Sequence, residues 1–582
     1  MAKVTENTRN PVTPEYSLSV EINHYRLLVV ISPGVQPRSF DSLVQAPSVD
    51  DADPSVSVRE RRAPLLQQNV LGLVAAAATT VVMGWGLGRV AFWLDEGATV
   101  VATQRTWGGM RTLMSGAEAP LVPYYVLLKL FTAITRHLVP GIGSHPEILY
   151  RLPSVIVSVL AAWALIDWLS RRLPVPAVVA TAATLLLTGG FSRYGQEARP
   201  YAGVLFLAVV STILWTRLIT DPRRRWIALY AVAVAGLTAL HTLGGLLVLA
   251  HLVAALVAPE PGERRRALLR TLFGAVPGLA LVSPLTLATA QNGTGPMYVF
   301  PDLTFPLATS VFSRIFSYGS HSFLTVGPIV LLALVGLSRV NAPEHRFVAR
   351  LAACWALVPL AGLVLVVLVH PNLMFGRYVL FIVPAWAILA GLGVMTVADL
   401  ARTAAARLDL GPTGLTGLTV IVSVALVAGV VVNQAWTLHQ VRTPGGHGED
   451  IRPALATADR PDYADLPIWV SSRFGSVQFG IYAPTDEKRL AGLRFQRDGT
   501  EIWPAKKSSA AGKKFLRKHD RLILMQRSAA DPANCTETLP LTPADQIQRC
   551  MPKLLLDLDY RVTKVEPSGY GWAFAVIERN AR

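Results

Sequence analysis

Apolar residues dominate a succession of long runs between residues 69 and 436. A helix of about 20 residues, rising 1.5 Å per residue, crosses the roughly 30 Å hydrocarbon core of a bilayer, so each run predicts a membrane-spanning helix. The pattern therefore predicts a polytopic α-helical membrane protein with about eleven transmembrane helices. The predicted spans are 69–90, 152–169, 173–191, 200–219, 226–241, 243–258, 268–290, 322–339, 348–370, 378–398 and 415–436.

A twelfth apolar stretch, 120–137, is interrupted by Lys129 and bounded by prolines and by Arg136. Arginine clusters in alternate short loops are typical of cytoplasmic loops, and one more complete crossing would reverse the side of every later loop. We therefore interpret 120–137 as a re-entrant or interfacial helix. The basic clusters that set this orientation lie at 59–62, 171–172, 217–225, 264–270, 339–350 and 402–407.

The chain ends do not share this pattern. Residues 1–64 are polar and predict a disordered cytoplasmic tail, although Tyr25–Ser32 resembles a short strand. Residues 65–436 form the predicted membrane domain. Residues 437–582 contain more charge and short β-rich stretches, which predicts a small α/β domain on the outer side of the membrane.

Composition supports a membrane protein and argues against other classes. Hydrophobic residues make up 52% of the chain and charged residues only 16%, against about 25% in typical soluble proteins. The net charge of +16 alone would favour nucleic acid, but its clustering in loops indicates membrane topology and no nucleic-acid partner. The three cysteines include no zinc-type pair; Cys535 and Cys550 can form one bridge outside the reducing cytoplasm.

Adjacent carboxylates, Asp95 and Glu96, follow the first span on its outward side. An ionised acid beside lipid is costly unless it faces water or a partner, so such residues often mark functional sites. The alternative is a solvated pair that stabilises the N-terminus of the next helix. Glu118, further along the same loop, could bring another acid toward Asp95.

Arginines on the outward side break the positive-inside pattern at two further places. The second outward loop contains Arg193, Tyr194, Glu197 and Arg199, and another outward end contains Arg377-Tyr378. The guanidinium group suits a phosphate through paired hydrogen bonds. The alternatives are an internal pair of an arginine with Glu197 or Asp95, and an interfacial Arg–Tyr pair.

These residues together resemble the GT-C membrane glycosyltransferases that use polyprenyl-phosphate sugars, especially the protein-mannosyltransferase and lipid A aminoarabinose transferase type. The resemblance spans about residues 85–440. It rests on five motifs in order, namely Asp95-Glu96, Pro123–Tyr125, Arg151–Ser154, Arg193–Tyr201 and Arg377-Tyr378.

The resemblance implies an inverting transfer in which Asp95 takes the proton of the acceptor hydroxyl and Glu96 positions the acceptor. It implies a group of donor-phosphate ligands, namely Arg193, Tyr194, Arg199, Arg377 and Tyr378. Many relatives have His-Pro-Pro where this chain has Glu118-Ala119-Pro120, so Glu118 and Glu197 are only candidates for an acceptor or second acidic site. Some relatives bind a divalent metal there and others need none; a metal is possible and none is assigned.

The predicted function is transfer of a sugar, mannose in the first place with arabinose also open, from a polyprenyl phosphate to an envelope glycan, lipid or protein. The reaction is predicted on the outer face of the plasma membrane. The alternative is a transporter or lipid flippase, which would place its ionisable groups at mid-span near broken helices. A non-catalytic scaffold is a third class that only an activity assay separates.

Overall fold

A computed structural model of the chain forms two units, Met1–Leu66 and Gln67–Arg582. The larger described stretches are 54–292, 305–317, 322–369, 375–407, 411–471, 475–483, 509–527, 543–569 and 571–580; shorter ones are 3–6, 16–22, 25–31, 373, 489–491, 493–494, 499, 502 and 505–506.

The first unit contains a three-stranded antiparallel sheet. Its strands are β1 (Lys3–Glu6), β2 (Tyr16–Ile22) and β3 (Tyr25–Ile31), in the order β1-β2-β3. Strand β3 coincides with the apolar run for which the sequence indicates a strand. The assignment of residues 1–64 as a disordered cytoplasmic tail stays a prediction.

Helices make up the described part of the chain from residue 54 to residue 440. They are α1 (Pro54–Gly84), α2 (Leu94–Gln104), α3 (Trp107–Thr112), α4 (Val122–Leu138), α5 (Pro146–Ser170), α6 (Val175–Leu187), α7 (Gly189–Tyr194), α8 (Tyr201–Thr220), α9 (Arg224–Leu240), α10 (Leu246–Val257), α11 (Arg264–Asn292), α12 (Phe305–Phe316), α13 (Ser322–Gly336), α14 (Arg346–Val369), α15 (Val383–Ala406) and α16 (Pro412–Gln440). A 3-10 helix, Gly376–Ile382, leads directly into α15.

Each predicted span coincides largely with helical residues, so the prediction of a polytopic helical protein is confirmed. Six helices of the described part are long and apolar enough to cross a membrane, namely α5, α8, α11, α14, α15 with its 3-10 turn, and α16. The count of eleven crossings is not confirmed. The first predicted boundary, between residues 64 and 65, falls inside α1, and α16 continues past the second, at residue 436.

Helix α15 lies at the centre of the helical part. Nearly all of its first half is buried, and it packs against α6 and α13. A Cβ added at Gly393 would lie 1.9 Å from the carbonyl oxygen of Leu332 on α13, so only glycine allows this close approach. The apolar side chains of α16 are by contrast largely exposed, as lipid contact requires.

The stretch 120–137 forms the 17-residue helix α4, which is not among the six long apolar helices. Its exposed apolar residues recur at a spacing of three or four and so share one face. They are Leu127, Leu130, Ile134 and Leu138. This amphipathic pattern agrees with an interfacial helix, and its position in the membrane stays a prediction.

The C-terminal region contains the predicted mixture of strands and helices. The elements are α17 (Arg452–Ala458), β4 (Ile468–Val470), α18 (Phe479–Tyr482), β5 (Leu490–Ala491), β6 (Leu493–Arg494), β7 (Ala505–Lys506), α19 (Ser509–Leu516), β8 (Arg521–Arg527), α20 (Pro543–Arg549), α21 (Lys553–Leu556), β9 (Tyr560–Glu566) and β10 (Trp572–Arg579). Five of these strands form a sheet in the order β5-β4-β8-β10-β9, with β4 parallel to β5 and β8 and the other pairs antiparallel. Strands β6 and β7 form a separate pair.

Candidate active site

The two adjacent carboxylates, Asp95 and Glu96, lie in the first turn of α2. Trp93, in extended conformation, immediately precedes this helix. Successive residues of an α-helix point about 100° apart, so the two side chains face different surroundings. The side chain of Asp95 is 21% exposed, whereas that of Glu96 is fully buried.

Glu96 forms a two-pronged ion pair with Arg151, which lies near the start of α5. The Nε and Nη2 atoms of Arg151 donate to its two carboxylate oxygens at 2.8 and 2.7 Å. The backbone N–H of Ala198 donates to the same carboxylate at 2.9 Å. Burial alone would raise the pKa of Glu96, but the charge and hydrogen bonds of Arg151 outweigh it and hold the pKa well below its usual range.

Arg151 also donates to backbone carbonyls of the turn before α2. Its acceptors there are Leu87, Val90 and Ala91, at 2.8 to 3.2 Å. The pair of Glu96 and Arg151 thus fastens three segments of chain together. This geometry does not support the predicted role of Glu96 in positioning an acceptor, because its oxygens are buried and already bonded.

Asp95 faces two arginines from distant parts of the chain. The Nη2 atom of Arg377 lies 3.3 Å from its Oδ2, and the Nη2 atom of Arg199 lies 3.8 Å from the same oxygen. Arg199 is also oriented by long hydrogen bonds to the Asp95 carbonyl and the Thr99 hydroxyl, at 3.4 and 3.3 Å. The structure thus brings together three of the residues that the sequence predicts for the site.

Aromatic rings surround the guanidinium of Arg377. It lies 4.5 Å from the ring centre of Phe375, 5.4 Å from that of Trp93 and 5.7 Å from that of Tyr378. Ring faces attract a cation, so these contacts hold the charge in place without neutralising it. The Nε–H groups of Arg377 and Arg199 are buried and have no hydrogen-bond acceptor in the described part of the chain.

A cluster of aromatic side chains continues from this point. Tyr201 packs edge-on against Tyr194 at 5.2 Å and lies 6.4 Å from Tyr378, and His241 lies 4.8 Å from Tyr378. The predicted ligands Tyr194 and Tyr378 therefore belong to the same cluster, which also includes Tyr201 and His241.

Arg193 lies apart from the pair that faces Asp95. It is buried, its Nη2 atom lies 3.4 Å from Oε1 of Glu197, and its Nη1 atom donates to the Gly446 carbonyl at 3.3 Å. The sequence analysis gives this internal pair with Glu197 as the alternative to a phosphate contact. Because Arg193 is already paired inside the protein, the geometry does not support its predicted contact with a donor phosphate. Burial raises the pKa of Glu197 to about 7, although Arg193 opposes this shift.

Glu118, the other candidate acid, is also buried. The Tyr125 hydroxyl donates to its Oε2 at 2.6 Å. Burial raises the pKa of Glu118 although this hydrogen bond opposes the shift, and its electrostatic neighbours include Arg199 and Asp95. Glu118 thus lies at the edge of the site as an acid that tends toward its neutral form.

Several residues of the site have no counterpart among the sequence predictions, and all lie in or after the segment that follows α16. Arg442 donates to the Ser192 hydroxyl at 2.6 Å, and the Nδ1 atom of His447 lies 3.5 Å from Oε2 of Glu96. Gln478 and Tyr482 both bond to Phe92. No local motif marks these four, whereas Arg151, the partner of Glu96, opens one of the motifs on which the resemblance rests.

Metal and disulfide predictions stand as follows. Within the described ranges no group of three or more His, Cys, Asp or Glu side chains could hold a metal ion. Cys535 lies outside the described residues, so its bridge to Cys550 stays a prediction. Cys354 is a buried free thiol.

No protein-family model matches the chain, and no curated protein matches it. Among solved structures it is similar to apo ArnT from Cupriavidus metallidurans, at 14% identity and a TM-score of 0.48, over 88% of this chain and 99% of that one. It is also similar to ArnT from the same organism bound to undecaprenyl phosphate, at 15% identity and a TM-score of 0.44, over 88% of this chain and 98% of that one. Arabinosyltransferase EmbB from Mycobacterium smegmatis matches at 16% identity and a TM-score of 0.38, over 63% of this chain and 40% of that one.

One of the two ArnT structures contains undecaprenyl phosphate, and EmbB is described as an arabinosyltransferase. Mannose as the transferred sugar stays a prediction. At such low identities and TM-scores, the chemistry of the site has to be argued from its own residues.

Proposed function

We propose that this chain is an inverting glycosyltransferase that moves a sugar from a polyprenyl-phosphate donor, with Asp95 as the general base. One observation carries the proposal: a partly exposed carboxylate faces two guanidinium groups, Arg377 at 3.3 Å and Arg199 at 3.8 Å. Two cations against one carboxylate leave one positive charge. A sugar phosphodiester carries one negative charge and would balance it.

The arginines also have the hydrogen bonds that a phosphate needs. Their buried Nε–H groups lack acceptors in the described part of the chain, and a phosphate oxygen accepts such bonds well. Both guanidiniums approach Oδ2 of Asp95. Its Oδ1 atom bears neither of these two contacts, and we assign it to the acceptor hydroxyl.

In the proposed step the acceptor oxygen attacks the anomeric carbon while the bond from that carbon to the phosphate oxygen breaks. The hydroxyl proton passes to Asp95, and polyprenyl phosphate leaves with the bonding electron pair. Negative charge therefore moves from the Asp95 carboxylate to the phosphate, within reach of the same two arginines. Preorganised charges at the point where charge develops stabilise the transition state, and a single base suffices for inversion.

The assignment reduces the donor-phosphate ligands to Arg199 and Arg377, with Tyr378 and Tyr194 in the aromatic cluster beside them. Glu96 and Arg193 support the site through their buried ion pairs. The resemblance favours mannose as the sugar, with arabinose as the other candidate, and the acceptor is an envelope glycan, lipid or protein. The reaction would occur on the extracytoplasmic face, as the arginine-rich loops predict.

A direct test is transfer of radiolabel from polyprenyl-phosphate mannose and polyprenyl-phosphate arabinose in membranes that contain wild type or Asp95→Asn. We expect transfer from one donor by wild type and none by the variant, while both bind the donor. The matched control is Asp167→Asn, the same change in a partly exposed aspartate of α5 that pairs with Arg171 away from the site. Transfer by Asp95→Asn at the rate of wild type would remove Asp95 as the base.

The same assay addresses the transporter alternative, which predicts no transfer even by wild type. The charged residues of the site favour the enzyme. Asp95 begins α2, while Arg199 and Arg377 lie just before α8 and α15, so these charges lie at helix ends. Transporters with broken helices place their ion and substrate sites near the middle of the membrane.

A further inference from the structure

The chain immediately before Asp95 is buried but not helical. Phe92 is fully buried, between the turn that ends α1 and the start of α2. The backbone polar groups of such a residue must find partners outside regular structure. Both partners come from the C-terminal region: the Tyr482 hydroxyl accepts from the Phe92 N–H at 2.8 Å, and Gln478 Nε2 donates to the Phe92 carbonyl at 2.8 Å.

We propose that Gln478 and Tyr482 are positioning residues that clamp the peptide groups of Phe92 and thereby fix Asp95, so that the C-terminal region is a working part of the active site. For its kinetic consequence this inference rests on the proposed function of Asp95. The two residues are four apart on consecutive helical turns, which places them on one face. Asp95 follows three residues after the clamped residue.

The Tyr482 hydroxyl is itself held in one orientation. It donates to Oε1 of Glu147 at 2.9 Å, so its lone pairs point to the Phe92 N–H. Glu147 in turn lies 3.5 Å from Nη1 of Arg452, whose guanidinium also pairs with Asp450 at 2.8 Å. The clamp is therefore supported by a chain of charged groups that leads from Glu147 on α5 to Arg452 and Asp450 in the C-terminal region.

Contacts along α2 show that the C-terminal region packs on the helix that carries Asp95. A Cβ added at Gly97 would lie 3.4 Å from Val477 and 3.6 Å from Ile481, which is direct van der Waals contact. Beyond the other end of α2, Arg105 donates to the Gly499 carbonyl. Both ends of the helix thus touch the C-terminal region.

The test removes one hydroxyl and keeps the ring. Tyr482→Phe loses the bonds to Phe92 and Glu147. The matched control is Tyr463→Phe, because Tyr463 also lies in the C-terminal region and its hydroxyl also donates to a glutamate, Glu566, at 2.7 Å. The Tyr463 hydroxyl bonds to Glu566 and Lys564, which both lie in the C-terminal region and not in the segment before Asp95.

Two measurements are made on both full-length variants in detergent. Hydrogen–deuterium exchange of residues 88–98 should become faster in Tyr482→Phe and stay at the rate of wild type in Tyr463→Phe. In the transfer assay kcat should fall on the order of 10- to 100-fold for Tyr482→Phe with unchanged KM for the donor, because misplacement of a base affects the chemical step. Tyr463→Phe should keep the kcat of wild type.

The outcomes separate the two proposals. Unchanged exchange in Tyr482→Phe, or an equal loss of kcat in both variants, would overturn the clamp and leave a general structural role for the region. A wild type that transfers no sugar would overturn the proposed function, and the exchange result alone would then decide whether the clamp exists. Gln478→Met, which keeps the length and removes the donor, should repeat the exchange result independently.

Discussion

The replacement Glu96→Gln tests whether the acid beside the proposed base holds the fold together. The change removes one negative charge and leaves Arg151, which is fully buried, facing an amide. An amide also turns an N–H₂ group toward one of the two Arg151 donors. We expect a large loss of stability and, because the loops around Asp95 lose their fastening, a loss of transfer as well.

The magnitude follows from the burial of both partners. Removing one partner of a buried ion pair typically destabilises a protein by about 3–5 kcal/mol, because the remaining charge is uncompensated. At about 1.4 kcal/mol per factor of ten, this shifts the unfolding equilibrium by roughly two to four powers of ten. The low pKa of Glu96 in the folded protein agrees with a carboxylate that is strongly stabilised in its charged form.

The assay is thermal and denaturant unfolding of purified wild type, Glu96→Gln, Asp95→Asn and a surface control. The control is Glu263→Gln, the same chemical change in an exposed pair with Arg266 at a similar distance of 2.8 Å. Exposed pairs contribute about 0–1 kcal/mol, so this control should unfold close to wild type. Asp95→Asn should lose less stability than Glu96→Gln, because the Asp95 side chain is 21% exposed whereas that of Glu96 is fully buried. Equal stability of Glu96→Gln and Glu263→Gln would refute the structural role of Glu96.

Three further predictions concern donor binding, pH and topology. Arg377→Ala and Arg199→Ala should each lower the rate of transfer roughly tenfold to a thousandfold, whereas the control Arg402→Ala, in an exposed pair with Asp399, should transfer at the rate of wild type. Equal rates in all three variants would exclude the donor-phosphate role of the two arginines. Burial raises the pKa of Glu197 from 4.5 to about 7, so its contribution to stability is present below about pH 4.5 and lost as the pH rises through about 7. The melting temperature should therefore fall less between these pH values for Glu197→Gln than for wild type, and an equal fall in both proteins would contradict this. A tag after Arg582 should be accessible on intact cells, and Cys535 and Cys550 should resist thiol labelling until reduced; a tag accessible only after permeabilisation would make a complete crossing by 120–137 the first alternative.

Much of the fold could be predicted because spanning helices leave a strong pattern in the sequence. The runs at 348–370 and 415–436 coincide with α14 and α16, and strand β10 lies in the C-terminal region for which short β-rich stretches predict an α/β domain. The sequence predicted less accurately where the single helices end, because a continuous apolar run such as 173–191 divides into α6 and α7 at Gly189. Length along the chain does not show where a helix ends when the break is buried by neighbours.

The site could be predicted only in part, for a reason that lies in helix geometry and long-range pairing. The resemblance assigns Asp95, Arg199 and Arg377 to one site, and in the structure the Nη2 atoms of both arginines lie within 4 Å of Oδ2 of Asp95. The sequence could not distinguish the buried ion pair of Arg193 from the contact of Arg199 with Asp95. The direction of each side chain depends on the turn that joins α7 to α8 and on partners such as Gly446, far along the chain.

The same limit explains why Asp95 and Glu96 receive different roles although they are adjacent and chemically alike. On α2 their side chains diverge by about 100°, one toward Arg151 and Ala198 and the other toward the pair of arginines. A fully bonded acid cannot take up a proton from an acceptor without breaking its ion pair. Asp95 can take up this proton, because its Oδ1 atom bears neither arginine contact. This difference between the two acids, which follows from one residue of helical rotation, supports the proposal that Asp95 is the base.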